Sequence, residues 1–150
     1  SRVWGNKILK TLSRRDRLLL GIGLYWGEGA KSDSSPAAFI NSDPAIIAFG
    51  KQWLEEFLHI ETAQLRPYIF ISQQHNYREK EILSYWSTCL RIPKKQFHIV
   101  TLKDKPVKLY PNHNTYFGTV SLRVARGTET KYKILGLIEA CRQVITGNQL

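Results

Sequence analysis

The stretch that most constrains this chain runs from Leu18 to Gly29, a helix-length apolar run that is unusually rich in glycine. Ser13 precedes it, and an acid, Asp16, follows Ser13 by three residues. This spacing is typical of a capping box, in which the two side chains satisfy the first free N–H groups of a helix. The sequence therefore predicts a buried helix that begins near Arg14.

Gly21, Gly23 and Gly27 interrupt the apolar run, and each one costs a helix interior roughly 1 kcal/mol relative to alanine. Gly23 and Gly27 lie four residues apart, on one helix face, where small residues let two helix backbones approach closely. We expect the helix to end at Glu28-Gly29, with Gly29 as a left-handed cap. An acid in the last turn opposes the helix dipole, so Glu28 indicates a functional site, and a metal ion beside it would remove the electrostatic conflict.

The segment Gly23–Gly29 resembles the second half of the LAGLIDADG motif, the signature of a family of DNA-cleaving homing endonucleases. The residues that match the motif are Gly23, Leu24, Gly27, Glu28 and Gly29. Trp26 replaces the first acid of the motif, at a position that varies in the family. In this family two such helices pack along a two-fold axis, and their C-terminal acids meet at the cleavage centre.

One copy of the motif implies a homodimer, because the family needs two copies to build one site. The resemblance places the dimer interface at Leu20, Gly23, Leu24 and Gly27. It implies a Mg2+ (or Mn2+) cofactor held by Glu28 and Gly27, and a carboxylate supplies the hard oxygen that such ions take. The alternative is that Glu28 is an ordinary surface glutamate at a helix end.

The rest of the chain shows helical and strand patterns in alternation. They predict a β-hairpin with strands near 28–32 and 37–41, a helix over 44–58, a strand over 64–73, a helix over 77–90, strands over 97–102 and 116–124, and a last helix over 129–145. This order fits an α+β fold with the LAGLIDADG-type αββαββα core, a mixed or antiparallel sheet saddle with helices on one face. The helix over 77–90 is then an extra element between the third and fourth strands. We expect one domain over 1–150, with residues 1–12 as a basic N-terminal arm.

Two predicted strands alternate in a way that separates a core side from a polar side. In the first, Pro67 makes an edge position in the sheet more favourable. Their polar sides carry Arg66, Tyr68, Phe70, Ser72, Thr119, Ser121 and Arg123. In the family such a surface lies over the duplex, where side chains read base edges in the major groove. The alternative is that the two faces are inverted and the aromatic residues pack under the helices.

The net charge of +10 is concentrated in two blocks. Residues 1–31 hold seven Lys/Arg and two acids, and residues 91–133 hold ten and two. Such blocks are expected in a protein that meets a polyanion, although a generally basic surface is the simpler alternative. The predicted DNA-binding residues are Lys31, Arg66, Tyr68, Lys94, Lys95, Lys103, Lys105, Lys108, Ser121, Arg123 and Arg126. The lysines among them suit phosphate contacts, which set affinity rather than sequence choice.

The resemblance also implies catalytic roles beyond Glu28. Arg123 occupies the position of a basic side chain that stabilises charge at cleavage. Lys31 and Lys103 are the next candidates for this role. The alternative for Arg123 is a plain phosphate contact. Asn41 closes a strand where family members carry a polar side chain that orders water. The alternative here is local helix capping by Ser42 or Asp43.

The composition indicates an intracellular protein in a reducing compartment, such as the cytoplasm or nucleoid, or an organelle if the gene lies in an intron. The sequence has no apolar run of roughly 18 residues and no secretory signal. Cys89 and Cys141 fall in apolar helical patterns and are predicted to be buried thiols. The chain has no methionine and begins at Ser1, which is compatible with a piece of a longer protein.

Three functions follow in order of preference. The first is a homodimeric, Mg2+-dependent, sequence-specific endonuclease of double-stranded DNA. The second is a non-cleaving transcription regulator or RNA-splicing cofactor on the same fold. The third is a basic protein that contacts no nucleic acid, and the salt dependence of nucleic-acid binding separates it from the other two.

Overall fold

The computed structural model describes residues 2–32, 34–103 and 113–147. The helices in this part of the chain are α1 (Arg2–Ile8), α2 (Arg14–Glu28), α3 (Pro44–Leu58), α4 (Glu79–Leu90) and α5 (Thr128–Thr146). The strands are β1 (Ala38–Asn41), β2 (Leu65–Ser72), β3 (His98–Leu102) and β4 (Thr119–Val124). None of these helices is long and apolar enough to cross a membrane.

The strands form one sheet in the order β1-β4-β2-β3. β4 is antiparallel to both β1 and β2, whereas β3 is parallel to β2. A parallel pair needs a long crossover connection, and α4 lies in the connection between β2 and β3, where the extra helix was predicted. The result is an α+β fold in which helices pack against a mixed sheet.

The core lies between the helices and one face of the sheet. Trp53 of α3 and Trp86 of α4 are its largest fully buried side chains. Each indole N–H donates to a backbone oxygen, from Trp53 to Leu18 O at 3.1 Å and from Trp86 to Phe117 O at 2.7 Å. Both buried donors are therefore satisfied, and the bond from Trp53 ties α3 to α2.

The predicted start of α2 is confirmed. Ser13 Oγ accepts from the Asp16 N–H, and the Asp16 carboxylate accepts from the Ser13 N–H at 2.8 Å. These two bonds lower the pKa of the Asp16 carboxyl. The capping box thus fixes where the helix begins.

Gly21 gives α2 its close approach to α3. A Cβ built on Gly21 would lie 2.1 Å from ring atoms of Trp53. No side chain fits there unless the indole moves. The glycine therefore compensates for its poor helix propensity by letting Trp53 reach the backbone of α2.

We expect Gly21→Ala to lower the free energy of unfolding by about 1–3 kcal/mol, the usual cost of overpacking a core. Gly136→Ala is the matched control, because Gly136 lies within α5 and a Cβ there meets nothing within 4 Å among the residues that the structure describes. That substitution should raise the free energy of unfolding by about 0.5–1 kcal/mol through helix propensity alone. Urea denaturation followed by tryptophan fluorescence measures both values, and equal effects at the two sites would contradict the packing of Gly21 under Trp53.

The predicted strand near 28–32 is wrong. Glu28 is the last residue of α2, and only Gly29 bridges β1, opposite Phe39. The helix holds this segment, because the Gly29 N–H still donates to Tyr25 O at 2.8 Å. Gly29 is also extended (φ −84°) rather than left-handed, and it is needed because a Cβ would lie 2.5 Å from Tyr25.

The predicted edge position of Pro67 is also wrong, since β2 lies between β4 and β3. Pro67 is opposite Leu122 of β4, and pairing with β3 begins one residue later, at Tyr68. The proline therefore sits just before the β2–β3 ladder begins. An interior strand accommodates it there without losing a bond to β3.

The two cysteines are less buried than predicted. Cys89 is exposed and Cys141 is intermediate, and both thiols are free. In α4 the buried positions are taken by Ile82, Trp86 and Leu90, which leaves Cys89 on the outer side. In the predicted basic arm, α1 forms a short helix with no buried residue.

Candidate nucleic-acid interface

The sheet face opposite the core, called the open face here, carries the predicted DNA-reading residues. Along β2 the buried and half-buried residues alternate strictly, so the predicted separation of its two faces is confirmed. Strand register assigns twelve side chains to the open face: Ala38, Ile40, Arg66, Tyr68, Phe70, Ser72, His98, Val100, Leu102, Thr119, Ser121 and Arg123. None of the twelve is acidic.

Two arginines lie side by side on this face. Arg66 of β2 and Arg123 of β4 are directly opposite each other in the ladder, and both are half-buried. Within the described residues neither guanidinium forms an ion pair. Like charges directly opposite each other destabilise a sheet. An anion bound over the open face would remove that repulsion.

The two guanidinium groups are held differently. Arg66 Nη1 donates to the backbone oxygens of Ala63 at 2.7 Å and Leu65 at 2.9 Å, so Arg66 folds back toward the start of β2. Arg123 Nε donates to Ser121 Oγ at 3.3 Å, and its Cζ lies 3.8 Å from the centroid of the Tyr68 ring. Arg123 is therefore fixed over the middle of the sheet.

Tyr68 joins Arg123 to a histidine on the next strand. The Tyr68 and His98 rings stack at 4.5 Å between centroids, with 19° between their planes. β4 and β3 flank β2 on opposite sides, so Arg123 and His98 approach Tyr68 from opposite sides. The three side chains form a stack across three strands, which we call the Arg123–Tyr68–His98 stack.

Sequence reasoning missed His98 as part of this surface. The place of His98 beside Tyr68 depends on the parallel pairing of β2 with β3, which the sequence does not reveal.

Sequence reasoning also missed Arg78, a buried arginine that donates to Asn114 O and Tyr116 O, each at 2.9 Å. Arg78 thereby fixes the backbone that leads into β4. Its guanidinium also donates to the Glu81 carboxylate, from Nε at 2.9 Å and from Nη2 at 3.2 Å, and these bonds lower the pKa of the Glu81 carboxyl.

The C-terminal end of α2 reaches the edge of the sheet. The bridge between Gly29 and Phe39 places it beside β1, the edge strand next to β4. Glu28 is exposed there and forms no hydrogen bond or ion pair in the described part of the chain. The nearby Lys31 Nζ donates to Trp26 O at 2.7 Å and to Gly27 O at 3.3 Å. Lys31 therefore offsets the negative end of the helix dipole.

The oxygens at this helix end partly fit the implied Mg2+ site. The Glu28 carboxylate is unengaged, whereas Gly27 O already accepts from Lys31. Among residues 2–32, 34–103 and 113–147, no group of three His, Cys, Asp or Glu side chains is placed to hold a metal ion. A complete oxygen shell thus needs a second copy of the helix end, water or substrate oxygens.

The predicted dimer face of α2 is open. A Cβ added to Gly23 or Gly27 would meet no described atom within 4 Å, and both residues are exposed. Leu20 beside them is 44 % exposed, whereas Leu24 is half-buried against the core. We call Leu20, Gly23, Leu24 and Gly27 the glycine face. Neither glycine is therefore required by a close contact with the described residues.

Asn41 lies away from the open face. It is opposite Val120, a core residue, and its Oδ1 accepts from the Asp43 N–H at 2.8 Å. Asp43 in turn caps α3 by accepting from the Ala45 N–H. The local capping alternative thus accounts for the Asn41 side chain, and the structure does not bring it together with Arg123.

The remaining predicted phosphate contacts are dispersed. Lys94 and Lys95 are exposed ahead of β3, and Lys94 Nζ donates to Ser84 Oγ at 2.8 Å. Lys103 is exposed just after β3, and Arg126 is exposed after β4 with a left-handed backbone (φ 53°). Lys105 and Lys108 lie outside the described residues.

No family model, curated protein or solved structure matches the chain. The resemblance to LAGLIDADG proteins therefore rests on the segment Gly23–Gly29 alone, because in the described residues α2 is followed by the single strand β1 rather than by the two strands of the expected αββαββα core.

Proposed function

We propose that this chain binds double-stranded DNA over the open face, as a homodimer, and cleaves it with Mg2+ (or Mn2+) at Glu28. The observation that carries the proposal is the pair Arg66 and Arg123, two cations in register on a face whose twelve described strand side chains include no acid. Such a pair is unfavourable alone and favourable beside a polyanion.

Duplex DNA fits the shape and chemistry of the open face. The major groove admits two β-strands, and the interior strands β2 and β4 carry most of the polar and basic side chains of this face. Exposed lysines at Lys94, Lys95 and Lys103 lie outside these strands and suit contacts to the phosphate backbone. A net charge of +10 adds attraction from a distance.

The glycine face supports the dimer. Gly23 and Gly27 weaken α2 as a helix, and neither makes a close contact with the described residues that would account for it. A second copy of α2 packed on this face would make use of both glycines, and a two-fold axis there would bring two Glu28 side chains together.

Cleavage is assigned to the end of α2. A bound Mg2+ would activate water and neutralise charge that develops on the phosphodiester. The Glu28 carboxylates of two subunits would hold it, and Lys31 is the cation that the structure holds at the same helix end. Arg123 is instead fixed over Tyr68, so we assign it to DNA contact.

A non-cleaving DNA-binding regulator is the second candidate, and one observation favours it. The Lys31 ammonium already donates to Gly27 O, so this helix end has a neutralising charge without a metal. The open face and the dimer would be the same in both proteins. For either function we propose an intracellular, reducing compartment, since the exposed Cys89 is a free thiol.

The salt dependence of duplex binding tests the proposal. The logarithm of the binding constant should fall linearly with the logarithm of salt concentration, by about 0.9 for each phosphate neutralised. Arg66→Gln should reduce that slope by about one. Lys133→Gln is the control, because Lys133 lies on α5 and pairs with Glu129. Fluorescence anisotropy with a labelled duplex measures all three proteins, and absence of binding at low salt would contradict the proposal.

A further inference from the structure

We propose that Arg123 reads one guanine in each half of the DNA site and that Tyr68 is the residue that positions it. The inference rests on the proposed function, because it assigns a base to one side chain of the same face. It is carried by the Arg123–Tyr68–His98 stack, which holds Arg123 differently from Arg66, the other arginine of the open face.

Arg123 is held before any ligand arrives. Its Cζ lies 3.8 Å from the Tyr68 ring centroid, and its Nε donates to Ser121 Oγ. A flexible arginine loses rotamer freedom when it binds, and a stacked, half-buried one has already lost much of it. The structure shows no partner for the terminal Nη groups within the described residues, so both remain available as a fork of donors.

A fork of donors in this place fits guanine better than phosphate. Guanine presents two acceptors, N7 and O6, on its major-groove edge, and a bidentate arginine is their commonest specific partner. Arg123 lies on an interior strand, over the part of the sheet that approaches the base pairs when a sheet enters the groove. Arg66 folds back to Ala63 O and Leu65 O, toward the rim, and suits a phosphate instead.

The same stack argues against recognition of a single strand. Proteins that bind single strands offer free aromatic faces on which bases stack. Arg123 covers Tyr68 from the β4 side, and His98 covers it from the β3 side. Tyr68 is therefore occupied by its neighbours, and its role is to hold Arg123 rather than to receive a base.

The test is selection of bound duplexes from a randomised library by the natural chain and by three variants, with the base frequency read at each position. The natural chain should select guanine at one position of each half-site. Arg123→Lys should lower that preference about 5- to 150-fold, the range expected for one bidentate contact. Other positions should keep their preferences, because the charge is unchanged.

Tyr68→Leu should weaken the same guanine preference without a change in the salt slope, which a residue with only a structural role would not do. Arg142→Lys is the matched control, because Arg142 lies on α5, where it pairs with Glu139, and this variant should leave every base preference intact. Circular dichroism tests whether each variant is folded. If Tyr68→Leu is unfolded, the result for Arg123→Lys alone decides the question.

Two results would overturn the inference while leaving the proposed function in place. One is an unchanged guanine preference in Arg123→Lys. The other is an Arg123→Lys chain whose affinity falls equally for all duplex sequences, which identifies Arg123 as a phosphate contact. Absence of duplex binding by the natural chain overturns both the inference and the proposed function.

Discussion

We expect Gly23→Glu to be a folded monomer at concentrations where the natural chain is a dimer. In the proposed dimer, Gly23 of each subunit faces the partner helix, so the substitution brings bulk and two carboxylates together. Like charges juxtaposed in an interface cost several kcal/mol, so the dissociation constant should rise at least about 100-fold. Analytical ultracentrifugation over a concentration series measures the change.

Gly136→Glu is the control for this experiment. Gly136 is also exposed within a helix, and in the described part of the chain a Cβ there also meets nothing within 4 Å. The same chemical change on α5 should leave the dimer intact. Both variants should keep the helical circular dichroism of the natural chain, because neither glycine contacts the core. A Gly23→Glu chain that still dimerises would exclude the glycine face as the interface.

The second large effect concerns Glu28. We expect Glu28→Gln to reduce Mg2+-dependent cleavage of a specific duplex at least about 1,000-fold, because a catalytic metal supplies several kcal/mol and each 1.36 kcal/mol is tenfold in rate. Duplex affinity should be kept or slightly raised, since the variant removes one negative charge near the phosphates. Single-turnover cleavage and anisotropy on the same duplex separate the two effects.

Glu129→Gln is the matched control, since Glu129 is exposed at the start of α5, where it pairs with Lys133. It should cleave at the natural rate. If Glu28→Gln also cleaves at the natural rate, the helix-end acid has no part in the chemistry. If neither the natural chain nor the variant cleaves a duplex that both bind, the non-cleaving regulator is the better description.

The features that local sequence determines were predicted well. The capping box at Ser13 and Asp16 gave the start of α2, because both of its bonds span only three residues. The alternation along β2 and β4 gave the open face, because a pleated strand turns successive side chains to opposite sides. The extra helix α4 was predicted from its own apolar spacing.

The features that depend on distant partners were not predicted. The edge position expected for Pro67 failed because the parallel pairing of β2 with β3 spans the whole of α4. The same pairing places His98 against Tyr68, so the Arg123–Tyr68–His98 stack could not be predicted from the sequence. The hairpin strand expected near 28–32 failed because α2 continues to Glu28 and the Gly29 N–H still donates to Tyr25 O.

The candidate site shows the same division between features that local sequence determines and features that depend on distant partners. Glycine spacing indicated the exposed face of α2, but only the structure separates Gly21, which packs under Trp53, from Gly23, which is open. Arg66 and Arg123 were each predicted to face outward, and only the register shows that they are direct neighbours. The charge pair that best supports DNA binding thus arises from strand pairing rather than from local pattern.

The most direct measurement is incubation of the natural chain with a randomised duplex library and Mg2+, followed by sequencing of the retained and the cut fragments. The proposed function predicts retention of one approximately two-fold symmetric site, with one cut on each strand near its centre. Library duplexes that are neither retained at low salt nor cut would contradict it, because the paired arginines of the open face would then bind no DNA.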